Sequence, residues 1–303
     1  MTYQNDIITI AVCNFKPADG DNTLNTKRMV GFANAAAKRG ADLIIFPEMA
    51  LTGYGRYIDP EISREDKIAR AETVNGPAAK ALGKVAEDNN VYIVFGLPEK
   101  RDDEPGILYN SAFVLGPEGF VGSYQKIHPY GSENEWCKRG ENLPFIFDTE
   151  WGPISLGICY DNYQFPELAR WCAYKGSRLH LNPTAAAQEV PNENARYQFL
   201  RCYQPHLEYL VLSSSIYIAS ANLTGFDHGC YFGGGSFVCG PKTNEYSEVE
   251  VTTYIGDLDD YQNDIHIGTI DLTMADRYQF EDHPEWGGPD YRPDIYRRMF
   301  SEE

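Results

Sequence analysis

Apolar residues come along the chain in short bursts separated by amphipathic stretches. Ile7 to Val12 (IITIAV) is rich in β-branched residues and reads as a strand. Asn22 to Arg39 carries Ala33, Ala36 and Ala37 on one helical side and stops at Gly40, which suits a helix C-terminus. Asp42 to Phe46 (DLIIF) is a second buried strand, closed by Pro47-Glu48. Residues 75–88, with Pro77 near their start, predict another helix, and Tyr92 to Gly96 a third strand. Strand and helix alternating in this way predict parallel strands joined by helical crossovers.

The rhythm then changes. Tyr109 to Leu115 and Phe120 to Lys126 are short strands joined by Gly116-Pro117-Glu118-Gly119, an antiparallel hairpin. A polar loop, Ile127 to Asn142, follows. Pro153 to Arg170 (PISLGICYDNYQFPELAR) reads as an apolar strand, a cysteine, a turn and a helix that begins at Pro166 and closes at Lys175-Gly176. Arg178 to Leu181 is another strand. Asn192 to Leu210 reads as a long helix that Pro205 should kink or interrupt. Further strands are expected at Tyr217 to Ala221, Ser236 to Cys239, Glu248 to Ile255 and His266 to Asp271. The two halves share one rhythm, strand–helix–strand–helix–strand and then a hairpin-like pair, without a sequence repeat. Residues 1–274 are expected to form one domain. Residues 275–303, rich in charge, aromatics and proline, read as an arm that packs on the domain or on a partner subunit.

Composition narrows the function. A formal charge of −18 over 303 residues disfavours nucleic acid and anionic membranes, which call for basic patches. The seven cysteines are odd in number and contain no CxxC pair, which fits a reducing compartment better than a disulfide framework. The N-terminus lacks the basic flank and long apolar run of a signal peptide, and no apolar run reaches the ~20 residues that span a bilayer. A cytoplasmic location is therefore expected.

Three chemically active residues stand in comparable places. Glu48 follows one strand, Lys126 closes another, and Cys159 closes a third. In open α/β sheets, ligands gather beyond the carboxyl ends of strands, so an acid, an ammonium and a thiol can meet in one crevice. Cys159 sits where a strand ends and a helix begins, a place where unpaired N–H groups and the helix dipole favour a lowered thiol pKa and hold an oxyanion. Taken singly, each has a plainer reading: a buried structural cysteine, an exposed carboxylate, a charge at a hairpin end.

With these residues in place, PEMALTGY (47–54), YQKIH (124–128) and GICYD…FPELAR (157–170) together resemble the carbon–nitrogen hydrolase, or nitrilase, superfamily. HLNPTAAA (180–187) and YIASANLTG (217–225) resemble its segments downstream of the nucleophile, so the likeness spans roughly residues 7 to 272. The resemblance implies an α/β fold, a four-layer αββα sandwich, and hydrolysis of a non-peptide C–N bond through a thioester. It implies Cys159 as nucleophile, Glu48 as general base and Lys126 as stabiliser of the tetrahedral intermediate. It also implies a second glutamate seven residues before a loop glycine. Counting back from Gly140 gives Glu133, with Glu135 as rival. No metal or other cofactor is required, and a homodimer or larger assembly is expected.

The backbone N–H of Tyr160 is a candidate oxyanion donor, and Tyr54, Tyr130 and Tyr163 lie beside the motifs as candidate pocket walls. The sequence also departs from the family pattern. One extra residue stands between Cys159 and the FPE proline, so Asn162-Tyr163-Gln164 is expected to line the pocket. Arg139 precedes the loop glycine where proline is usual, and Pro129 follows His128 where leucine is usual. Tyr160-Asp161 after the cysteine, rather than the Trp-Glu of nitrilases proper, favours a small amide as substrate, with release of ammonia or an amine. A nitrilase or an N-carbamoyl hydrolase is the alternative of the same chemistry. Two other classes remain: a Cys–His hydrolase pairing Cys159 with His128, His180, His206, His228, His266 or His283, and a catalytically silent member that binds a small molecule or a partner. His228 and Cys230 are too few to make a metal site.

Overall fold

Ile8, Ile10 and Val12 alternate with Ala11 and Cys13 along the first strand, and all five are fully buried. Successive side chains of a strand face opposite ways, so this strand lies between two packed layers. The computed structural model describes residues 5–190, 192–242, 250–258, 260 and 262–301. In chain order, β1 (Ile7–Asn14), α1 (Asn22–Lys38) and β2 (Leu43–Ile45) lead to α2 (Gly55–Ile58), α3 (Arg64–Arg70) and α4 (Pro77–Asn89). β3 (Tyr92–Lys100), β4 (Leu108–Gly116) and β5 (Gly119–Gln125) complete the first half. The second half runs α5 (Glu133–Trp136), β6 (Phe145–Thr149), β7 (Gly152–Leu156), α6 (Tyr160–Gln164), α7 (Pro166–Tyr174), β8 (Leu179–Thr184), α8 (Glu193–Ser214) and β9 (Tyr217–Asn222). The chain closes with β10 (Thr224–Asp227), β11 (Cys230–Gly233), β12 (Phe237–Pro241), β13 (Val251–Gly256), β14 (Asp264–Asp271) and α9 (Pro293–Ser301).

Two sheets share one topology. The first has the order β14-β1-β2-β3-β4-β5 and the second β6-β7-β8-β9-β12-β13. In each, three parallel strands (β1-β2-β3 and β7-β8-β9) continue into two antiparallel ones. An antiparallel edge strand, β14 or β6, covers the other side. The shared rhythm of the two halves is thus a shared architecture.

The sheets face each other through one core that includes Ile10, Val12 and Val94 on one side and Leu156, Leu181 and Ala219 on the other. Met29, Ala33 and Leu82 of α1 and α4 cover the outer face of the first sheet. Ala173, Phe199 and Leu207 of α7 and α8 cover the second. The result is the expected αββα sandwich. Each fully buried Leu or Ile contributes roughly 1.5–3 kcal/mol, so the three apolar layers carry the fold.

Several elements differ from the sequence reading. β6 and the β10–β11 hairpin have no counterpart among the expected strands; each is short and half-covered. α3 escaped notice although Ser63 caps it, accepting from Asp66 N–H, a recognisable start signal. A helical turn, α5, sits inside the Ile127 to Asn142 loop. α8 passes through Pro205 unbroken, capped by Asn192, and ends at Ser214. Of the strand expected over Glu248 to Ile255, residues 248 and 249 lie outside the described residues. Phe280 and Tyr291 pack with Tyr174 of α7, whereas α9 has no buried residue. Among the described residues no helix is long and apolar enough to cross a membrane.

Candidate active site

Glu48 stands just beyond β2, and Gly96 of β3 makes room for it. A Cβ at Gly96 would collide with the Glu48 backbone. Lys126 follows β5, and its N–H donates to the Asn110 carbonyl of β4 at 2.8 Å. Glu133 opens α5. The glycine that follows it, Gly140, packs its Cα directly on the Gln125 carbonyl and donates its N–H to the Lys126 carbonyl at 2.9 Å. Only a residue without Cβ lets the loop fold back this closely, which is why a glycine sits at this distance from Glu133.

These three side chains meet. The Lys126 ammonium donates to Glu48 Oε1 at 2.7 Å and to Glu133 Oε1 at 2.8 Å. All three residues are at most 1% exposed. Asn110 donates to Glu48 Oε1 at 2.7 Å and to Glu133 Oε2 at 3.3 Å, the Ala185 N–H to Glu48 Oε2 at 2.8 Å, and the Tyr54 hydroxyl to Glu133 Oε1 at 2.6 Å. Glu135 is exposed, so Glu133 is the glutamate that reaches Lys126. Burial raises the Glu48 pKa, against the pull of Lys126 and with the push of Glu133. Burial works to lower the Lys126 pKa, but the two carboxylates outweigh it and hold the ammonium charged. An ammonium has three donors; two are engaged and one remains.

Cys159 lies between β7 and α6 with φ of 51°. A left-handed backbone at a non-glycine residue costs on the order of 1 kcal/mol and persists only when its surroundings hold it. Here the Cys159 N–H is held by the Pro183 carbonyl and Asn182 Oδ1, both at 3.1 Å. The thiol pKa is not lowered, contrary to expectation. Burial and the nearby Glu48 carboxylate push it up, and Lys126 only partly offsets them. The thiol therefore keeps its proton until a base takes it. Tyr160 is the first residue of α6, so its N–H has no partner within that helix.

A cavity of about 660 Å³ opens onto Cys159. Tyr54, Tyr130, Tyr160 and Tyr163 line it, together with Phe199, Tyr203 and Phe232. Glu48, Lys126 and Glu133 are off its wall, each tied to a wall residue or to a neighbour of one: Ala185 contacts Glu48, and Tyr54 contacts Glu133. Tyr163 bonds Thr184 Oγ1 at 2.7 Å.

The family model described as carbon–nitrogen hydrolase matches residues 9–278. The chain belongs to the carbon–nitrogen hydrolase family. It is 30% identical to a nitrilase of Pyrococcus abyssi over 278 residues, covering 91% of this chain and 94% of that one. It is 28% identical to an omega-amidase of Homo sapiens over 222 residues, 70% of this chain and 73% of that one. An amidase from Nesterenkonia sp. AN1, solved with the acetamide moiety of fluoroacetamide covalently added at its active-site cysteine, superposes with a TM-score of 0.70. At 23% identity over 96% of both chains, that match shows the shared fold. As a carbon–nitrogen hydrolase, the protein acts on C–N bonds other than peptide bonds.

The extra residue of the loop after Cys159 has a structural outcome. Tyr163 and Gln164 line the cavity, but Asn162 turns inward and is buried, against the expectation that all three line it. Asn162 Nδ2 donates to the Gly157 carbonyl at 3.0 Å and to Asn182 Oδ1 at 2.8 Å. His180 Nε2 donates to Asn162 Oδ1 at 2.8 Å while its Nδ1 accepts from Ser155 Oγ at 2.8 Å. Burial pushes the His180 pKa down to about 3, so the ring is neutral. A buried polar chain thus backs the Cys159 turn. Asp161 joins the turn to the lysine side, accepting from the His128 N–H and ring at 2.9 Å and from the Tyr124 hydroxyl at 2.8 Å.

Asn110, His180 and Asn182 sit inside otherwise apolar runs, and Asp161 and Asn162 in the polar turn after Cys159, so the sequence does not say what each of them bonds. Among the described residues no histidine bonds Cys159. His128 and His180 are engaged as above, and His228 bridges Asp19 and Asp59 at 2.8 Å each. His266 pairs with Asp260 and His283 stacks on Trp286. His206 lies on the cavity wall, with its Nδ1 on the Cys202 carbonyl. Among the described residues no three His, Cys, Asp or Glu side chains cluster as metal ligands.

Proposed function

We propose that this protein is a thiol-dependent amidohydrolase that cleaves a small amide through a thioester on Cys159. The observation that carries the reading is a buried ammonium held between two carboxylates beside a strained cysteine at a cavity floor. Glu48 takes the Cys159 proton, and the sulfur attacks the amide carbonyl carbon. The charge that forms on oxygen is received by the third N–H of Lys126 and by the Tyr160 backbone N–H. The C–N bond breaks as nitrogen takes the proton back from Glu48 and leaves as ammonia or an amine. Water then attacks the thioester, Glu48 takes one of its protons, and the sulfur leaves with that proton. Glu133 orients Lys126 and the attacking water. The name of the omega-amidase relative and the Tyr160-Asp161 pair after the nucleophile support an amide over a nitrile.

Ammonia release from matched amide, nitrile and ureido compounds tests this. Amides should turn over fastest, and Cys159→Ala should abolish release from all three. A nitrile or ureido compound that outruns its amide counterpart overturns the substrate assignment. Turnover that survives Cys159→Ala overturns the mechanism.

A further inference from the structure

The described cavity wall carries mainly aromatic and small apolar side chains, with the neutral amides Gln164, Gln188, Asn194 and Gln198, the imidazole of His206 and little formal charge. Tyr54, Tyr130, Tyr163, Phe199, Tyr203 and Phe232 form its sides. Among the described wall residues there is no lysine or arginine, and Glu189, at the rim and exposed, is the one carboxylate. The sequence AAAQEVPNEN (185–194), which includes the wall residues Ala185 to Glu189 and Asn194, contains no basic residue. Arg196, next to the wall residue Ala195, is committed to the Gly233 carbonyl and to the face of Phe199, at 5.1 Å from its ring centre. Behind the floor, Lys126 is outnumbered by Glu48 and Glu133, so that centre is net negative when both acids are ionised.

A substrate carboxylate entering this space meets no lysine or arginine on the described wall, one imidazole, His206, and beyond the floor a single ammonium outnumbered by two carboxylates. Burying an unpaired charge is disfavoured far more strongly than burying apolar surface. The volume points the same way. A cavity of about 660 Å³ is in the range that encloses a drug-sized ligand and is poorly filled by a two-carbon amide.

Resting on the amidase reading, we propose that the acyl group taken by this site is bulky, apolar and uncharged, an aryl-alkyl or long alkyl chain, and that amides bearing a carboxylate are rejected. Each methylene buried against the wall raises specificity about fourfold. A terminal carboxylate in place of a methyl lowers it about 100-fold or more.

The test compares acetamide, hexanamide, 3-phenylpropanamide and the monoamide of adipic acid. The last keeps the six-carbon chain of hexanamide and ends it in a carboxylate. Two readouts are used: kcat/KM of the wild-type enzyme by ammonia release, and calorimetric binding to Cys159→Ala. Hexanamide and 3-phenylpropanamide should exceed acetamide and the adipic monoamide by about 100-fold in kcat/KM and bind Cys159→Ala, whereas the adipic monoamide does not. Glu189→Lys should narrow the gap between hexanamide and the adipic monoamide about tenfold. The proposal is overturned if the adipic monoamide matches hexanamide, if acetamide matches 3-phenylpropanamide, if Glu189→Lys leaves the gap in place, or if Cys159→Ala binds none of them. If the wild type hydrolyses none while Cys159→Ala still prefers the uncharged long amides, the amidase reading fails and this one stands.

Discussion

Replacing Glu48 by glutamine exchanges one oxygen for NH2 and removes one charge. Three donors converge on this carboxylate: Lys126 and Asn110 on Oε1 at 2.7 Å each, and the Ala185 N–H on Oε2 at 2.8 Å. A glutamine that keeps its oxygen on Lys126 and Asn110 must aim its NH2 at the Ala185 N–H, donor against donor. One hydrogen bond is lost and a buried N–H is stranded, at about 1–3 kcal/mol. Lys126 keeps Glu133 as its counter-charge, so no buried ion is left alone. The variant therefore folds, somewhat less stably.

Its catalysis fares worse. Glu48 is both the base that takes the thiol proton and the acid that returns it to nitrogen. A positioned base or acid contributes about 10²–10⁴-fold, so kcat should fall by about 10³-fold or more. Ammonia release under saturating amide measures this, with a urea melt run alongside to show the fold intact. In the wild type the acid limb of kcat/KM should lie above the ordinary carboxylate value of 4.5, because burial raises the Glu48 pKa and the reaction needs it ionised. A folded Glu48→Gln that keeps a tenth or more of kcat refutes the reasoning and points to His206, the histidine on the cavity wall, as base.

Three further outcomes are expected. Lys126→Met leaves two buried carboxylates without their shared cation; it should cost about 3–5 kcal/mol in a urea melt at pH 7, less at a pH low enough to protonate one of them, and abolish turnover. Asn182→Ala removes the side chain that holds the Cys159 N–H. It should lower kcat about tenfold or more with KM within about twofold, beside a stability loss of about 1–3 kcal/mol, and a variant that loses stability alone contradicts a positioning role. Hydrogen bonds to Asp19 and Asp59 raise the His228 pKa above 6.5, so its stabilisation is full below that value and is lost as pH rises through the higher folded value. The stability gap between wild type and His228→Asn should therefore be present at pH 5.5 and close by pH 9; a gap that widens with pH contradicts the bridge.

Much of the architecture was legible because parallel strands buried on both faces write themselves as apolar runs. DLIIF and ISLGI are such runs, α4 and α7 start on Pro77 and Pro166, and α1 and α7 end just before Gly40 and Gly176. β6, β10 and β11 were not legible, since four- or five-residue strands with one covered face look like loops. At the site, Glu48, Lys126 and Cys159 all follow or close strands, and the family resemblance, counted back from Gly140, pointed to Glu133 with Glu135 as rival. The supporting polar groups did not stand out. Asn110, Asn162, His180 and Asn182 act through partners distant in sequence, and only packing reveals which donors meet which acceptors. The direction of the Cys159 pKa was misjudged for the same reason: a helix start is visible in sequence, whereas the burial and the Glu48 charge that outweigh it are not.

The central claim is a covalent one, and it has a direct measurement. Wild-type protein is mixed with a slowly hydrolysed amide, quenched in acid within the first turnover, digested and weighed by mass spectrometry. The account predicts an acyl group, the amide less ammonia, on the peptide that contains Cys159, appearing before free acid and absent from Cys159→Ala. Steady amide hydrolysis with no acylated Cys159 at any quench time contradicts it.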